Sequence, residues 1–121
     1  MKENILRDKS FRFAVRIVNL YRHLCETKKE YVLSKQVLRS GTSVGAMVRE
    51  AEHSESKADF VHKLAIAQKE INETLYWLEL MHETKYISTK EYDSINTDAV
   101  EIIKLITASI KTTKKSLTTN H

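Results

Sequence analysis

Two Glu-x-x-His motifs, Glu50 with His53 and Glu79 with His82, are the residues best spaced for chemistry. A Glu and a His three positions apart put a carboxylate and an imidazole on one helix face. Two such pairs pointing into a helical bundle form the ligand set of di-iron carboxylate proteins. Spacing argues against that use here. Only a short turn near Ser54–Ser56 separates the two helices that carry the pairs, so His53 lies beside the start of the second helix. Glu79 comes roughly 20 residues later, about 30 Å away at about 1.5 Å per residue. One subunit cannot bring both pairs to one ion. Glu50 and His53 also project away from Val37, Val44 and Val48. No metal site is expected, and the pairs read as solvated polar faces.

Other catalytic signatures are absent. There is no Gly-rich phosphate loop and no Cys/His pair at metal spacing. Cys25 falls on the apolar side of its helix, where a thiol without an electropositive neighbour is inert. The five histidines are scattered, with nothing to orient one as a general base. The expectation is a protein that is not an enzyme and takes no cofactor.

A basic stripe is the stronger candidate. Lys9, Arg12, Arg16 and His23 share one face of the first helix, opposite Ala14, Val18 and Tyr21. Arg22 flanks the row, Lys28 and Lys29 extend it, and Lys35 and Arg39 are possible additions from the next helix. Such a row can track phosphates by charge, with little sequence preference. The same residues also suit the solvated face of an amphipathic helix. No aromatic is interleaved with the row, so base stacking is not expected. An apolar signal sits elsewhere: Ile66, Trp77 and Leu80 lie off the apolar seam of their helix. Three such residues, one a tryptophan, suggest a contact between subunits or a broad core edge.

The elements that must position these residues are helices. Ala14, Ile17, Val18, Tyr21, Leu24 and Cys25 repeat at helical spacing, which predicts a first helix from about Lys9 to Glu26. Thr27–Glu30 is a polar break, and Ser34 suits the N-cap of a second helix. Ser56 with Asp59 and Ser88 with Glu91 have capping-box spacing for a third and a fourth. Phe60, Leu64, Ala67, Ile71, Thr74, Leu78 and Met81 form a heptad seam, repeated by Tyr92, Ile95, Ala99, Ile102, Ile106 and Ser109. Short loops make sequential helices antiparallel, so the fold expected is all-α, an antiparallel up-down-up-down four-helix bundle. It occupies residues 1–121 as a single domain, with about 1–8 and 114–121 frayed.

Bulk composition agrees. The 121 residues are 41% hydrophobic and 30% charged, a soluble globular balance. Apolar runs are too short for a membrane span, the N-terminus lacks a signal-peptide stretch, and the single cysteine fits a cytoplasmic location. Net charge is +4, with eight Lys/Arg against four Asp/Glu in residues 1–30 and four against six in residues 55–87. The chain has no proline and two glycines, Gly41 and Gly45, in a run without a large side chain. That run marks a close-packing surface rather than chemistry.

Several stretches resemble a known bacterial family, the 23S rRNA intervening-sequence (four-helix bundle) proteins. They are Gln36–Arg39, Ser43–Glu50, Ser56–Phe60 and Lys69–Leu78, with Lys9–Tyr21 fitting the same pattern. Many relatives carry an Asn-Ile-Ala-Glu-Gly-like stretch where this chain has Met47–Ala51, so Glu50 is kept while the Asn and Gly positions differ. The resemblance implies an antiparallel four-helix bundle and a ring-like homo-oligomer, with a pentamer favoured. Some members are encoded within intervening sequences of 23S rRNA genes. A related branch comprises accessory proteins of diversity-generating retroelements, which bind a reverse transcriptase and nucleic acid through basic surfaces. The implied function is a non-enzymatic RNA- or DNA-binding accessory factor. The alternative is a protein-interaction scaffold with no nucleic-acid role.

Overall fold

Four α-helices make up almost all of the computed structural model, which describes residues 4–119. They are α1 (Asn4–Glu26), α2 (Leu33–Glu52), α3 (Lys57–Glu83) and α4 (Thr89–Thr119). No strand occurs among the described residues. α1 packs on α2, α2 on α3 and α3 on α4, and α4 returns to α1 along the lightest of the four seams. The protein is an all-α four-helix bundle whose short loops make sequential helices antiparallel.

The helix ends differ from expectation. α1 begins at Asn4 rather than Lys9, because Leu6 packs against the core and the Arg7 guanidinium lies 3.8 Å from Glu52. α4 continues to Thr119, and Lys57 Nζ donates to Ser116 Oγ at 2.5 Å, tying its last turns to the start of α3. Residues 4–8 and 114–119 thus fall within α1 and α4. The remainder of both expected frayed ends, 1–3 and 120–121, lies outside the described residues.

Capping explains where the other helices start. At α3, Ser56 Oγ accepts the Asp59 amide at 3.0 Å. At α4 the box is reciprocal, with the Glu91 amide donating to Ser88 Oγ at 3.1 Å and the Ser88 amide to Glu91 Oε1 at 2.9 Å. α2 departs from the expected Ser34 cap. Its N-cap position is Val32, which has no capping side chain, and Ser34 lies inside the helix. Glu30 takes that role instead, its carboxylate accepting the amides of Val32, Leu33 and Ser34 at 3.0, 2.9 and 2.7 Å. Three donors left over at a helix start are thus met by one buried carboxylate.

The core follows the heptad seams of α3 and α4. Leu64, Ala67, Ile71, Thr74, Leu78 and Met81 are buried, as are Ile95, Ala99, Ile102 and Ile106. Phe60, Tyr92 and Ser109, at the seam ends, are half-buried. On α1 the buried line is Ser10, Phe13, Ile17 and Leu24. Ala14, Val18, Tyr21 and Cys25 sit half-buried at its edge, so the apolar face is rotated from the one expected. On α2, Val37, Val44, Val48 and Ala51 are buried together with Ser40 and Gly41. Ser40 meets Thr74 across the α2/α3 seam, Thr74 Oγ1 lying 2.8 Å from Ser40 Oγ.

The glycine pair sets the approach of α2 to α1. A Cβ at Gly41 would lie 2.7 Å from Ile17 Cγ1, and one at Gly45 would lie 3.3 Å from the Ser10 carbonyl oxygen. Neither glycine has a positive φ. Their missing side chains serve packing rather than a turn.

Candidate nucleic-acid interface

The rotation of α1 decides what its basic residues face. Lys9 and Arg16 turn toward α4, where Lys9 Nζ donates to Glu101 Oε1 at 3.2 Å. Arg16 donates to Asp98 Oδ2 at 2.7 Å and to Ser94 Oγ at 3.1 Å. Arg39 on α2 is held by two acids of α3, Glu70 at 3.3 Å and Glu73. Three of the six expected phosphate contacts are thus engaged by carboxylates of the same chain. A phosphate reaching them must displace a carboxylate already in place.

Arg12, Arg22 and Lys35 are different. All three are exposed. Among the described residues none has a carboxylate within ion-pair distance, and the same holds for Arg49. Arg12 and Arg22 lie on the outward side of α1, with Lys35 and Arg49 on the outward side of the neighbouring α2. These four cations lie on the outer side of the α1–α2 pair, and Lys69, Lys104 and Lys111 on α3 and α4 are likewise exposed without an ion pair among the described residues.

One residue of that face was missed in the sequence. Phe11 is 54% exposed, and the Arg49 guanidinium lies 5.3 Å from its ring centroid. The expectation that no aromatic stands among the basic residues does not hold. The signal was present in Phe11-Arg12-Phe13: one helix cannot turn two phenylalanines that close together equally toward one core, and Phe13 takes the buried place. Phe11 and Arg49 border a groove of about 280 Å³ between α1 and α2, together with Arg7, Ala14, Thr42, Gly45 and Ala46. Val15, also exposed, extends the apolar strip along α1.

Ile66, Trp77 and Leu80 share the side of α3 that turns toward α2 and are half-buried. Trp77 packs against the core, and its indole Nε1 donates to Glu73 Oε2 at 3.0 Å. Its neighbour Tyr76 is 57% exposed and meets the indole edge-on at 5.0 Å between centroids.

The two Glu-x-x-His pairs are not brought together. Glu50 and His53 line a surface depression at one end of the bundle, where Lys63 reaches Glu50 at 3.2 Å. His82 lies at the other end, stacked on Tyr92 at 4.6 Å and bonded to Thr89. No three His, Cys, Asp or Glu side chains converge among the described residues. A depression of about 550 Å³ at that end is lined by His23, Lys28, His82, Lys85 and Glu91, among others. Glu91 is held below the usual carboxyl range, first by the Ser88 amide of its cap and also by the charges of His23 and Lys28. Its carboxylate is engaged in the cap at the start of α4. Cys25 is half-buried with its Sγ 3.7 Å from Ser34 Oγ.

No described helix is long and apolar enough to cross a membrane. No curated protein matches the chain. A solved structure, of a protein of unknown function from the S23 ribosomal protein family of Bacteroides thetaiotaomicron VPI-5482, is similar. Its TM-score is 0.90 at 59% identity, over 92% of this chain and 99% of that one. The family described as 23S rRNA-intervening sequence protein matches residues 2–108. With the four-helix architecture, the close structural likeness and a match along most of its length, the chain belongs to the 23S rRNA-intervening sequence protein family.

Proposed function

We propose that this chain is a non-enzymatic, oligomeric helical bundle that binds RNA or DNA weakly through phosphate charge, using Arg12, Arg22 and Lys35. The observation that carries the reading is the exposed positive charge of Arg12, Arg22 and Lys35 on the outer α1–α2 face, none of it within ion-pair distance of a carboxylate among the described residues, although Asp8 and Glu26 stand one turn from Arg12 and Arg22. Family membership adds an association with 23S rRNA genes. Lys9, Arg16 and Arg39 contribute less than first expected, because each is already paired. A titration of labelled RNA and DNA at two salt concentrations tests the reading. Affinity should fall steeply as salt rises, and Arg12→Glu with Arg22→Glu should abolish it. Absence of binding at low salt defeats the proposal.

The pairing of those three basic residues favours a second reading, a protein-interaction scaffold whose charged face is solvated. A reverse transcriptase is one class of partner that the family context suggests. Under this reading a partner is still captured by the Arg12→Glu, Arg22→Glu chain.

Assembly into a homo-oligomer, a pentamer by family resemblance, belongs to both readings. Exposed Tyr76 beside Ile66, Trp77 and Leu80 on α3 supports a subunit contact there. Light scattering should show an oligomer at micromolar concentration, and Tyr76→Glu should shift it toward monomer. Trp77→Glu should do the same if the indole lies in the contact. If it unfolds the subunit instead, Trp77 belongs to the core.

A further inference from the structure

We propose that the groove between α1 and α2 at Phe11 and Arg49 is a stacking site for an unpaired base of single-stranded nucleic acid. The inference rests on the nucleic-acid reading above and goes beyond it, since backbone charge alone does not distinguish single strands from duplexes.

Three observations converge on the site. Phe11 is more than half exposed although it is a large apolar ring in a helix with a well-filled core. The Arg49 guanidinium lies over that ring and, among the described residues, has no carboxylate within ion-pair distance. The groove beside the ring, about 280 Å³, is lined by short side chains (Ala14, Thr42, Gly45 and Ala46), and a base stacked on Phe11 would take the ring face that Arg49 does not cover.

The chemistry of the rim selects the occupant. An aromatic ring and a guanidinium both offer flat faces to an unstacked base. Arg12, next to Phe11 in the chain, is exposed and has no ion pair among the described residues, and Arg7 lines the groove, its Nε 3.8 Å from Glu52. Arg7 is thus already engaged and Arg12 points about 100° around the helix from Phe11, so the cation at the groove that is open to a flanking phosphate is Arg49. Arg22 lies eleven residues further along the same outward stripe, roughly 16 Å away at helical rise, in line to meet a strand that continues up the face. A duplex keeps its bases paired and stacked, and presents no such face except at its ends.

The test uses the full chain with a labelled single-stranded oligonucleotide and a duplex of the same length. Phe11→Ala and Phe11→Leu should each weaken single-strand binding roughly tenfold, leave duplex binding unchanged and leave the salt slope unchanged. Leu keeps the apolar bulk and removes only the π face, and thermal melting checks that both variants fold. Phe11→Tyr should restore the affinity. If Phe11→Leu binds the single strand as tightly as the natural chain while Arg12→Glu with Arg22→Glu does not, stacking is overturned and the backbone-charge reading stands. Stacking is likewise overturned if Phe11→Ala changes only the oligomeric state, since the face then belongs to a second copy. If the unaltered chain binds neither probe at low salt, both readings fall.

Discussion

Ile17 of α1 fills the space that Gly41 of α2 leaves open: a Cβ at Gly41 would come within 2.7 Å of Ile17 Cγ1 and 2.9 Å of Cγ2. Ile17 is fully buried and cannot swing away. The helix interior would ordinarily favour Ala over Gly by about 1 kcal/mol. Overpacking a filled core costs about 1–3 kcal/mol. Gly41→Ala should therefore lower stability in thermal or denaturant unfolding, with Ile17→Val relieving part of the loss in the double variant. Gly45→Ala meets a backbone oxygen at 3.3 Å and should cost less. A Gly41→Ala chain as stable as the original would show that the two helices can separate at little cost.

Glu30 makes the start of α2 sensitive to acid. Burial by itself raises the pKa of this carboxyl, but the amides of Leu33, Ser34 and Val32 outweigh it, and the net shift is downward from 4.5. A depressed folded value means stability that is fully present above the ordinary value and lost as pH falls through the folded one. Unfolding should therefore become easier below about pH 4.5, with part of that dependence absent in Glu30→Gln. Glu30→Ala should cost about 1–2 kcal/mol at neutral pH, the range of a lost helix cap. An identical acid profile in Glu30→Gln would assign the effect to other carboxyls.

Lys85 occupies the position after α3 where a left-handed residue closes the helix. Its φ is 70°, its amide donates to the His82 carbonyl at 3.1 Å, and the Tyr86 amide donates to the Met81 carbonyl at 2.8 Å. Glycine is the residue best suited to that conformation, yet both glycines of this chain lie in α2. Lys85→Gly should raise stability by about 0.5–1 kcal/mol, read as a higher melting temperature. A lower melting temperature would mean that the lysine side chain contributes more than its backbone costs.

Arg39 and Arg22 should separate structure from binding. Arg39 spans α2 and α3 through Glu70 and Glu73, while Arg22 is exposed and unpaired among the described residues. Arg39→Ala should cost at most about 1 kcal/mol of stability, as exposed ion pairs do, and change oligonucleotide affinity little. Arg22→Ala should leave stability unchanged and reduce both affinity and its salt dependence. The reverse assignment would place the nucleic-acid surface at the α2/α3 seam.

Much of the bundle was legible because its signals are local. The heptad spacing of Leu64, Ala67, Ile71 and Leu78 and the capping pairs Ser56/Asp59 and Ser88/Glu91 operate within a few residues, so the chain order displays them directly. The start of α2 was harder to place, because Glu30 caps it from outside the helix and through its side chain. The ends of α1 and α4 also escaped, since Leu6, Arg7 and Ser116 are held by residues distant in sequence.

By itself the sequence determined four amphipathic helices, their order and the close-packing role of Gly41 and Gly45, since periodicity, capping and small side chains are properties of neighbouring residues. Only the tertiary structure decided which charges are free. Lys9, Arg16 and Arg39 meet carboxylates 92, 82 and 31 or more positions away, whereas Arg12 and Arg22 meet none among the described residues. It also decided that Phe13 rather than Phe11 enters the core, leaving Phe11 exposed under Arg49. Both outcomes depend on the rotation of α1 about its axis, which is set by packing against α2 and α4 and is not written in any one helix.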